Sequence, residues 1–228
     1  MKIIATDTGR VVQLVVMEEI RPPSGIYMPA LYQAVSDRYG FVARPQDLNA
    51  AIASGAKFNH GRLVTPNKTI TISEIGIYND GIIVDSLNTN DAEIILEDFI
   101  LWTKNLLGLR DVITQIPRTY GSLVTVEFDK PIESALRGTE VFTSNLNTAL
   151  KNAYGWDLET NILRFGINAD PRLVAPLQNT HFFVERRLLR PYSENRYQSG
   201  APLRTEEHLE LLQTIETDLF RSRLKETS

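Results

Sequence analysis

The residue types that most often carry catalysis are few in this sequence and lie far apart. It has three histidines, His60, His181 and His208, and no two of them have the spacing of zinc ligands. It has no cysteine, which excludes disulfides, cysteine nucleophiles and zinc–thiolate or iron–sulfur sites. Phosphate-binding, dinucleotide-binding, nucleophile-elbow and HExxH motifs are also absent. The sequence therefore predicts no metal and no cofactor, and it favours a protein that is not an enzyme.

Three aspartates surround one predicted turn and could share a cation. Asp80, Asp85 and Asp91 carry the carboxylate oxygens that Ca²⁺ and Mg²⁺ prefer as ligands. Each also has an ordinary structural explanation. Asp80 suits a turn, Asp85 ends a strand, and Asp91 interacts favourably with the dipole at a helix N-terminus. The structural explanation is the simpler one.

Two of the histidines have a predicted environment. His60 lies in a polar segment, residues 59–62, that could be a turn or an interrupted strand, and it is the candidate for contact with a ligand. The alternative is an ordinary surface histidine. His208 lies in the first turn of the last predicted helix and shares a face with Leu212 and Ile215. That spacing predicts a packed or interface histidine rather than a catalytic one.

Charge is distributed unevenly, although the formal net charge is only -4. A net charge of this size is too small to predict a nucleic-acid or membrane partner for the whole molecule. The acidic segment, residues 70–102, has no lysine or arginine and seven acids: Glu74, Asp80, Asp85, Asp91, Glu93, Glu97 and Asp98. The arginine segment, residues 181–204, has two acids, four interleaved aromatic residues and five arginines: Arg186, Arg187, Arg190, Arg196 and Arg204.

Three interpretations of the arginine segment are open. It could be an ordinary solvated loop with surface ion pairs, each of which contributes little. It could meet the acidic segment, within the chain or on a neighbouring copy, because the arginine fork matches carboxylates. It could instead bind nucleic acid through phosphate contacts and stacking on aromatic rings. The shortage of lysine and the acidic total favour the second interpretation over the third.

The elements that must position these residues are clearest over residues 70–109. Alternating apolar residues predict a strand, and the Asn-Asp-Gly sequence at residues 79–81 predicts a tight hairpin turn, because these residues tolerate a positive φ. A second strand and an amphipathic helix follow. Asn90 is the predicted N-cap of that helix, Glu93 completes a capping box, and Gly108 ends it.

This helix has apolar residues on two sides. Its broad apolar face predicts packing against a sheet. Ile94 and Leu101 fall together on the opposite side, among acids that include Glu93 and Glu97. A partner could use such an apolar pair, or another part of the same chain could cover it. The helix predicted over residues 139–154 has an apolar side formed by Phe142, Leu146, Ala149 and Leu150.

The predicted elements follow the order β-α-α-β-β-α-β-α-β-β-α, with a short second helix over residues 45–54. This alternation is too irregular for a doubly wound parallel sheet. It predicts an α+β fold: a largely antiparallel or mixed sheet with helices packed on it and a C-terminal amphipathic helix. No linker and no internal repeat is visible. We therefore expect residues 1–228 to form a single domain, in which residues 1–60 could be a helical lobe.

Features of targeting and membrane insertion are weak in this sequence. Residues 7–10 interrupt the apolar stretch at the N-terminus before the core of a signal peptide could form. No apolar run approaches the roughly 20 residues that a bilayer-spanning helix needs. We therefore expect a cytoplasmic protein with no membrane partner.

The functional prediction is a non-catalytic assembly or interaction protein, either a homo-oligomer or a subunit of a larger complex. Its partner would be a protein. The predicted contact residues are Arg186, Arg187, Arg190 and Arg196 on one surface and Glu93, Glu97, Ile94 and Leu101 on the opposing surface. The alternative is a nucleic-acid-binding protein that uses the arginine segment. A third hypothesis is an enzyme with an unrecognised site near His60 or near the three aspartates.

Overall fold

A computed structural model describes most of the chain, namely residues 1–47, 51, 54–110, 116–136, 138–155, 157, 160–170 and 180–224. For residues 17, 18, 134, 135 and 219–224, only the backbone is described. The short helix predicted over residues 45–54 falls mostly outside the described residues.

The described strands form one sheet of eight, and every neighbouring pair in it is antiparallel. The strands are β1 (Lys2–Leu14), β2 (Ala56–Val64), β3 (Thr69–Tyr78), β4 (Gly81–Ser86), β5 (Thr119–Glu127), β6 (Arg164–Ile167), β7 (Phe182–Arg186) and β8 (Arg196–Ala201). Their order across the sheet is β2-β3-β4-β1-β5-β8-β7-β6. The predicted α+β class with an antiparallel sheet is confirmed.

The helices of the described chain are of unequal length. They are α1 (Met17–Ile20), α2 (Met28–Tyr39), α3 (Thr89–Leu107), α4 (Thr139–Tyr154) and α5 (Thr205–Leu224), with short 3-10 helices at Ile132–Ala135 and Tyr192–Glu194. The predicted C-terminal helix is therefore present as α5. It is amphipathic, since Leu212 is buried and Glu210 is exposed. None of the described helices has the length and apolar content needed to cross a bilayer.

The hairpin β3–β4 lies where the sequence predicted it, with Tyr78 paired to Gly81 across a two-residue turn. The predicted cap of α3, in contrast, was wrong by two residues. Asn88 is the N-cap, and its side-chain oxygen accepts a hydrogen bond of 2.8 Å from the backbone N–H of Asp91. The Asn88 amide in turn donates to the Asp91 carboxylate at 3.0 Å. Asp91 thus stands at the third position after the cap, as Glu93 does in the prediction, but its carboxylate accepts from the Asn88 side chain, whereas a capping box uses the backbone N–H of the cap.

The chain is built from two halves with the same topology, and each half contributes four neighbouring strands to the sheet. Each half follows the order strand, helix, three strands, helix: β1, α2, β2–β4 and α3 in the first half, and β5, α4, β6–β8 and α5 in the second. The sheet order reads 2-3-4-1 and then 5-8-7-6, so the halves are related by an approximate two-fold axis between β1 and β5. The chain therefore has an internal structural repeat that its sequence pattern does not reveal.

The two halves meet through a pair of threonines above the β1–β5 pairing. The backbone N–H of Thr89 donates to the Thr205 hydroxyl at 3.1 Å, and the N–H of Thr205 donates to the Thr89 hydroxyl at 2.9 Å. Both threonines are buried at the first residue of α3 and of α5. Gly9 of β1, paired with Ser122 of β5, lies beneath the N-terminus of α3. The reciprocal bonds therefore join the N-termini of two helices at the pseudo-two-fold axis.

Each half has its own apolar core. The first lies between its strands and α2 and α3, and its buried members include Val35, Phe58, Ile72, Leu96 and Phe99. The second lies under α5 and includes Val124, Val126, Phe182, Val184 and Leu212. The expectation of a single domain with residues 1–60 as a helical lobe stays a prediction, and the strand β1 of that segment is central in the sheet.

Candidate interaction surfaces

The acidic segment is largely neutralised within the chain. The basic partners come from strands and helices that are distant in sequence, so the segment does not present a surface of uncompensated negative charge. Six of its seven acids form ion pairs in the described residues: Glu74 with Lys57, Asp85 with Arg10, Asp91 with Lys68, Glu93 with Arg118 and Arg204, Glu97 with Arg118, and Asp98 with Arg38.

One arginine of the arginine segment does meet the acidic segment inside the chain. Arg204 binds the Glu93 carboxylate at 2.6 and 2.9 Å and donates to the Tyr120 hydroxyl at 2.6 Å. Tyr120 in turn donates to Glu93 at 2.6 Å. Burial raises the pKa of Glu93, but the hydrogen bonds from Tyr120 and Arg204 outweigh burial and hold it below its usual value. Glu93 is therefore a structural link between α3 and the second half of the chain.

Arg186 is not on the surface where contact was predicted, because only 4% of it is exposed. Its guanidinium forms a two-point ion pair with Glu133, including an Nε to Oε1 distance of 2.7 Å, and donates to the backbone oxygen of Tyr192 at 3.1 Å. Tyr197 donates a further hydrogen bond of 2.6 Å to Glu133. Burial raises the pKa of Tyr197, and this hydrogen bond raises it further. Arg186 thus holds the fold together.

The other three arginines of the predicted contact surface follow β7 in the chain. Arg196 is paired with Glu127 at 3.2 Å. Arg187 and Arg190 are exposed, and within the described residues neither side chain has an ion pair or hydrogen bond. They border a groove of about 500 Å³. Between them, Leu189 is fully exposed with a positive φ of 64°, a conformation that is uncommon for a bulky residue.

The opposing surface predicted on α3 is only partly available. Glu93 and Glu97 are engaged by Arg118, as described above. Ile94 is partly exposed and Leu101 is 62% exposed, so this apolar pair does lie on the outer side of the helix. The role of the pair in a contact stays a prediction.

The residues proposed for chemistry are not brought together. His60 is exposed in β2 at a positive φ of 59°, opposite Ser73 and between the pairs Asn59–Glu74 and Gly61–Ile72. No hydrogen bond orients its imidazole within the described residues. Asp85 is held by Arg10, and Asp91 by Lys68 and the helix cap. The described residues contain no group of three or more acids and histidines able to hold a metal ion.

His208 is fully buried between α5 and the strands of the second half, as its place on the apolar face of α5 suggested. Its ring nitrogens lie 2.9 Å from the Ser199 hydroxyl and 3.1 Å from the Ser122 hydroxyl. Ser199 donates its own proton to the backbone oxygen of Phe183 at 2.7 Å, so it must accept from His208. The imidazole is then neutral with its proton on Nε2, and burial lowers its pKa to about 4.

Helix α4 shows its apolar side to solvent. Of the predicted apolar side, Phe142, Leu146 and Ala149 are exposed, as is Ala153 on the same helix face, and Leu150 is partly buried. The side turned toward the chain is polar: Asn147 accepts a hydrogen bond of 3.0 Å from the backbone N–H of Thr160. No residue of α4 is buried. In the first half, the corresponding helix α2 buries Leu31, Tyr32, Val35 and Tyr39.

Three exposed surfaces of the described chain are therefore candidates for contact: the loop of Arg187–Arg190, the outer side of α3, and α4. Sequence spacing could not identify the ion-pair partners of the acidic segment and of Arg186, because Arg10, Arg38, Arg118 and Glu133 are distant in sequence from the residues they bind. No model of a known protein family matches the chain, and no curated protein matches it in sequence.

Proposed function

We propose that this protein is a non-catalytic interaction protein, a homo-oligomer or a subunit of a larger complex, and that α4 is its contact surface. The observation that carries the proposal is the outward apolar side of α4, where Phe142 is 77% exposed and Leu146 is 49% exposed. Burying two such side chains on a partner would contribute about 1.5–3 kcal/mol each. An apolar helix face without a place in its own core is typical of a surface that binds another protein.

The comparison between the halves supports the same proposal. Helices α2 and α4 occupy equivalent positions in the repeat, yet only α2 has its apolar side in a core. The outward side of α4 also carries no charged residue, since Phe142, Leu146, Ala149 and Ala153 are flanked by Asn145 and Asn152. A partner helix could therefore approach it without desolvating a charge.

The test is a pair of substitutions on α4 with a matched control. Phe142→Ser combined with Leu146→Ser should reduce the mass measured by sedimentation velocity from that of the oligomer or complex to that of the free chain. Thermal stability should stay unchanged, because neither side chain contributes to a core. Val42→Ser, an equally exposed apolar position before β2, should leave the assembly intact. A wild-type chain that is monomeric at high concentration, with no partner in its native host, would contradict the proposal.

A second candidate function is nucleic-acid binding by the loop after β7. Its support is the exposed pair Arg187 and Arg190, which the exposed Tyr192 follows closely in the sequence. Two phosphate contacts to a single strand would give weak binding that decreases as salt is added, with a slope of about −1.4 in a plot of log K against log salt concentration. Arg187→Ala with Arg190→Ala should abolish it. The absence of binding to single-stranded DNA or RNA at low salt would exclude this function.

A further inference from the structure

An apolar groove of about 580 Å³ opens beside the C-terminal half of α3, on the opposite end of the sheet from the loop of Arg187–Arg190. That volume lies within the roughly 300–1,000 Å³ of small-molecule sites. The aliphatic side chains that line it are only partly buried: Val15, Ile20, Ile82, Ile100, Leu109 and Ile116. The groove therefore offers a continuous apolar lining that remains open to solvent.

The walls of the groove are held by hydrogen bonds that do not involve a ligand. Gln13 donates to the backbone oxygens of Leu14 and Ile116, both at 3.0 Å, and accepts from Arg118 at 3.2 Å. The backbone N–H of Arg110 donates to the backbone oxygen of Ile20 at 3.1 Å, which ties the end of α1 to the segment after α3. These bonds engage Gln13 and the backbone groups at Ile20, Arg110 and Ile116, so the walls of the groove are held in place without a ligand.

The rim of the groove has an available positive charge. Arg110 lines the groove and is exposed, and within the described residues its side chain has no ion pair or hydrogen bond. Arg118, the neighbouring arginine of the rim, is instead held by Glu93 and Glu97. Arg21 lies with Arg110 around an adjoining depression and adds a second exposed guanidinium. Among the described residues, an anion at the rim would therefore meet positive charge at Arg110 that no acid pairs with.

We propose that this groove binds a small anionic amphiphile, with an aliphatic chain along the apolar lining and a carboxylate head at Arg110. The charge selects an anionic ligand over a neutral one, because a guanidinium forms its strongest hydrogen bonds with a carboxylate. The volume fits one ligand of small-molecule size rather than the longer groove that a helix needs. This site does not depend on the proposed role of α4.

The experiment titrates the full-length chain with decanoate below its micelle-forming concentration, by isothermal titration calorimetry, with decan-1-ol as the neutral control. We expect saturable binding of decanoate, weakened about tenfold by Arg110→Gln, which removes one charge-assisted contact. Arg62→Gln, an exposed arginine on the edge strand β2, should have no effect. Ile100→Trp should fill the groove and abolish binding, with thermal unfolding as the check that the variant is folded.

Four results would overturn the proposal. The first is no binding of decanoate, and the second is binding of decanol that equals that of decanoate and is insensitive to Arg110→Gln. The third is an acidic amphipathic peptide that binds the groove when decanoate does not, which would assign it to a protein partner. Binding of decanoate that persists in folded Ile100→Trp would place the ligand elsewhere and would also overturn it.

Discussion

The backbone of Gly9 lies directly against the N-terminus of α3, and this close contact requires that residue 9 have no side chain. A Cβ at this position would lie 2.0 Å from the carbonyl carbon of Asn88 and 2.1 Å from the backbone nitrogen of Thr89. Backbone atoms cannot move aside as a flexible side chain can. We expect Gly9→Ala to destabilise the protein by about 1–3 kcal/mol or more, measured by urea unfolding.

Gly121 provides the matched control for this substitution, because it lies one pair further along the same two strands. A Cβ at Gly121 would meet only the Cβ of Arg10, at an ordinary contact distance of 3.6 Å. Gly121→Ala should therefore change the free energy of unfolding little. Equal stability of the two variants would contradict the close approach of α3 to β1.

His208 predicts a specific dependence of stability on pH. Its pKa is about 4 in the folded chain, because of burial, against an ordinary value of 6.5. Below pH 6.5 the unfolded chain binds a proton that the folded chain does not bind until about pH 4, so stability falls as the pH falls through this window. The loss attributable to His208 is about 2–3 kcal/mol at pH 4.5.

Carboxylates also titrate at low pH, so a variant is needed to isolate the histidine. His208→Asn keeps polar contacts to Ser122 and Ser199 available but cannot take up a proton. The free energy of unfolding, measured at pH 7 and pH 4.5, should fall less in the variant than in the wild type. An identical fall in both proteins would show that His208 is not the group responsible.

At the scale of elements, the 3-10 helix Ile132–Ala135 is fixed to β7 and β8 by one buried charged cluster. Arg186→Ala would leave the Glu133 carboxylate buried with only the Tyr197 hydroxyl as its partner. We expect a loss of about 3–5 kcal/mol, which is typical of breaking a buried ion pair from one side. Replacing both partners, with Arg186→Met and Glu133→Leu, should restore much of the stability. A double variant as unstable as Arg186→Ala would contradict this account.

The elements that short-range chemistry determines were predictable from the sequence. The turn at residues 79–81 needs only its own three residues, and the antiparallel sheet follows from such hairpins. The cap of α3 was misplaced because Asn88 and Asn90 are both good N-caps, and the fold selects the one whose neighbour Asp91 can return the hydrogen bond. The apolar side of α4 was also visible, but periodicity does not reveal whether a core receives it.

The candidate site was harder to predict, because its charges are paired over long sequence separations. The sequence predicts Arg186 as a surface residue of the arginine segment. In the structure it is paired with Glu133, which lies 53 residues earlier in the chain. Glu93 is likewise joined to Arg204, 111 residues away. Charge segregation along a sequence therefore indicated where ion pairs form but did not distinguish pairs within the chain from contacts with a partner.

At the scale of the whole molecule, the repeat implies that the chain is held together by the contact between two similar halves. That contact includes the β1–β5 pairing, the Thr89–Thr205 bonds, the links from Arg118 and Arg204 to Glu93, and the ion pair of the N-terminal amine with Glu216. Each half has its own core, and without the other half its first strand would be paired on one edge only, β1 with β4 or β5 with β8. An unpaired strand edge is a template for association, so each half alone should bind another strand at this edge.

We therefore expect fragments 1–112 and 113–228, expressed together, to assemble into a one-to-one complex that unfolds cooperatively. Each fragment expressed alone should self-associate or aggregate through the free edge of β1 or β5. Thr89→Val combined with Thr205→Val should weaken the complex, because two buried backbone N–H groups lose their acceptors, at about 1–3 kcal/mol each. Sedimentation velocity on the mixed and the separate fragments measures both effects. Two stable monomeric fragments that do not bind each other would contradict this prediction. The halves would then be independent units, and the threonine pair would contribute nothing to their association.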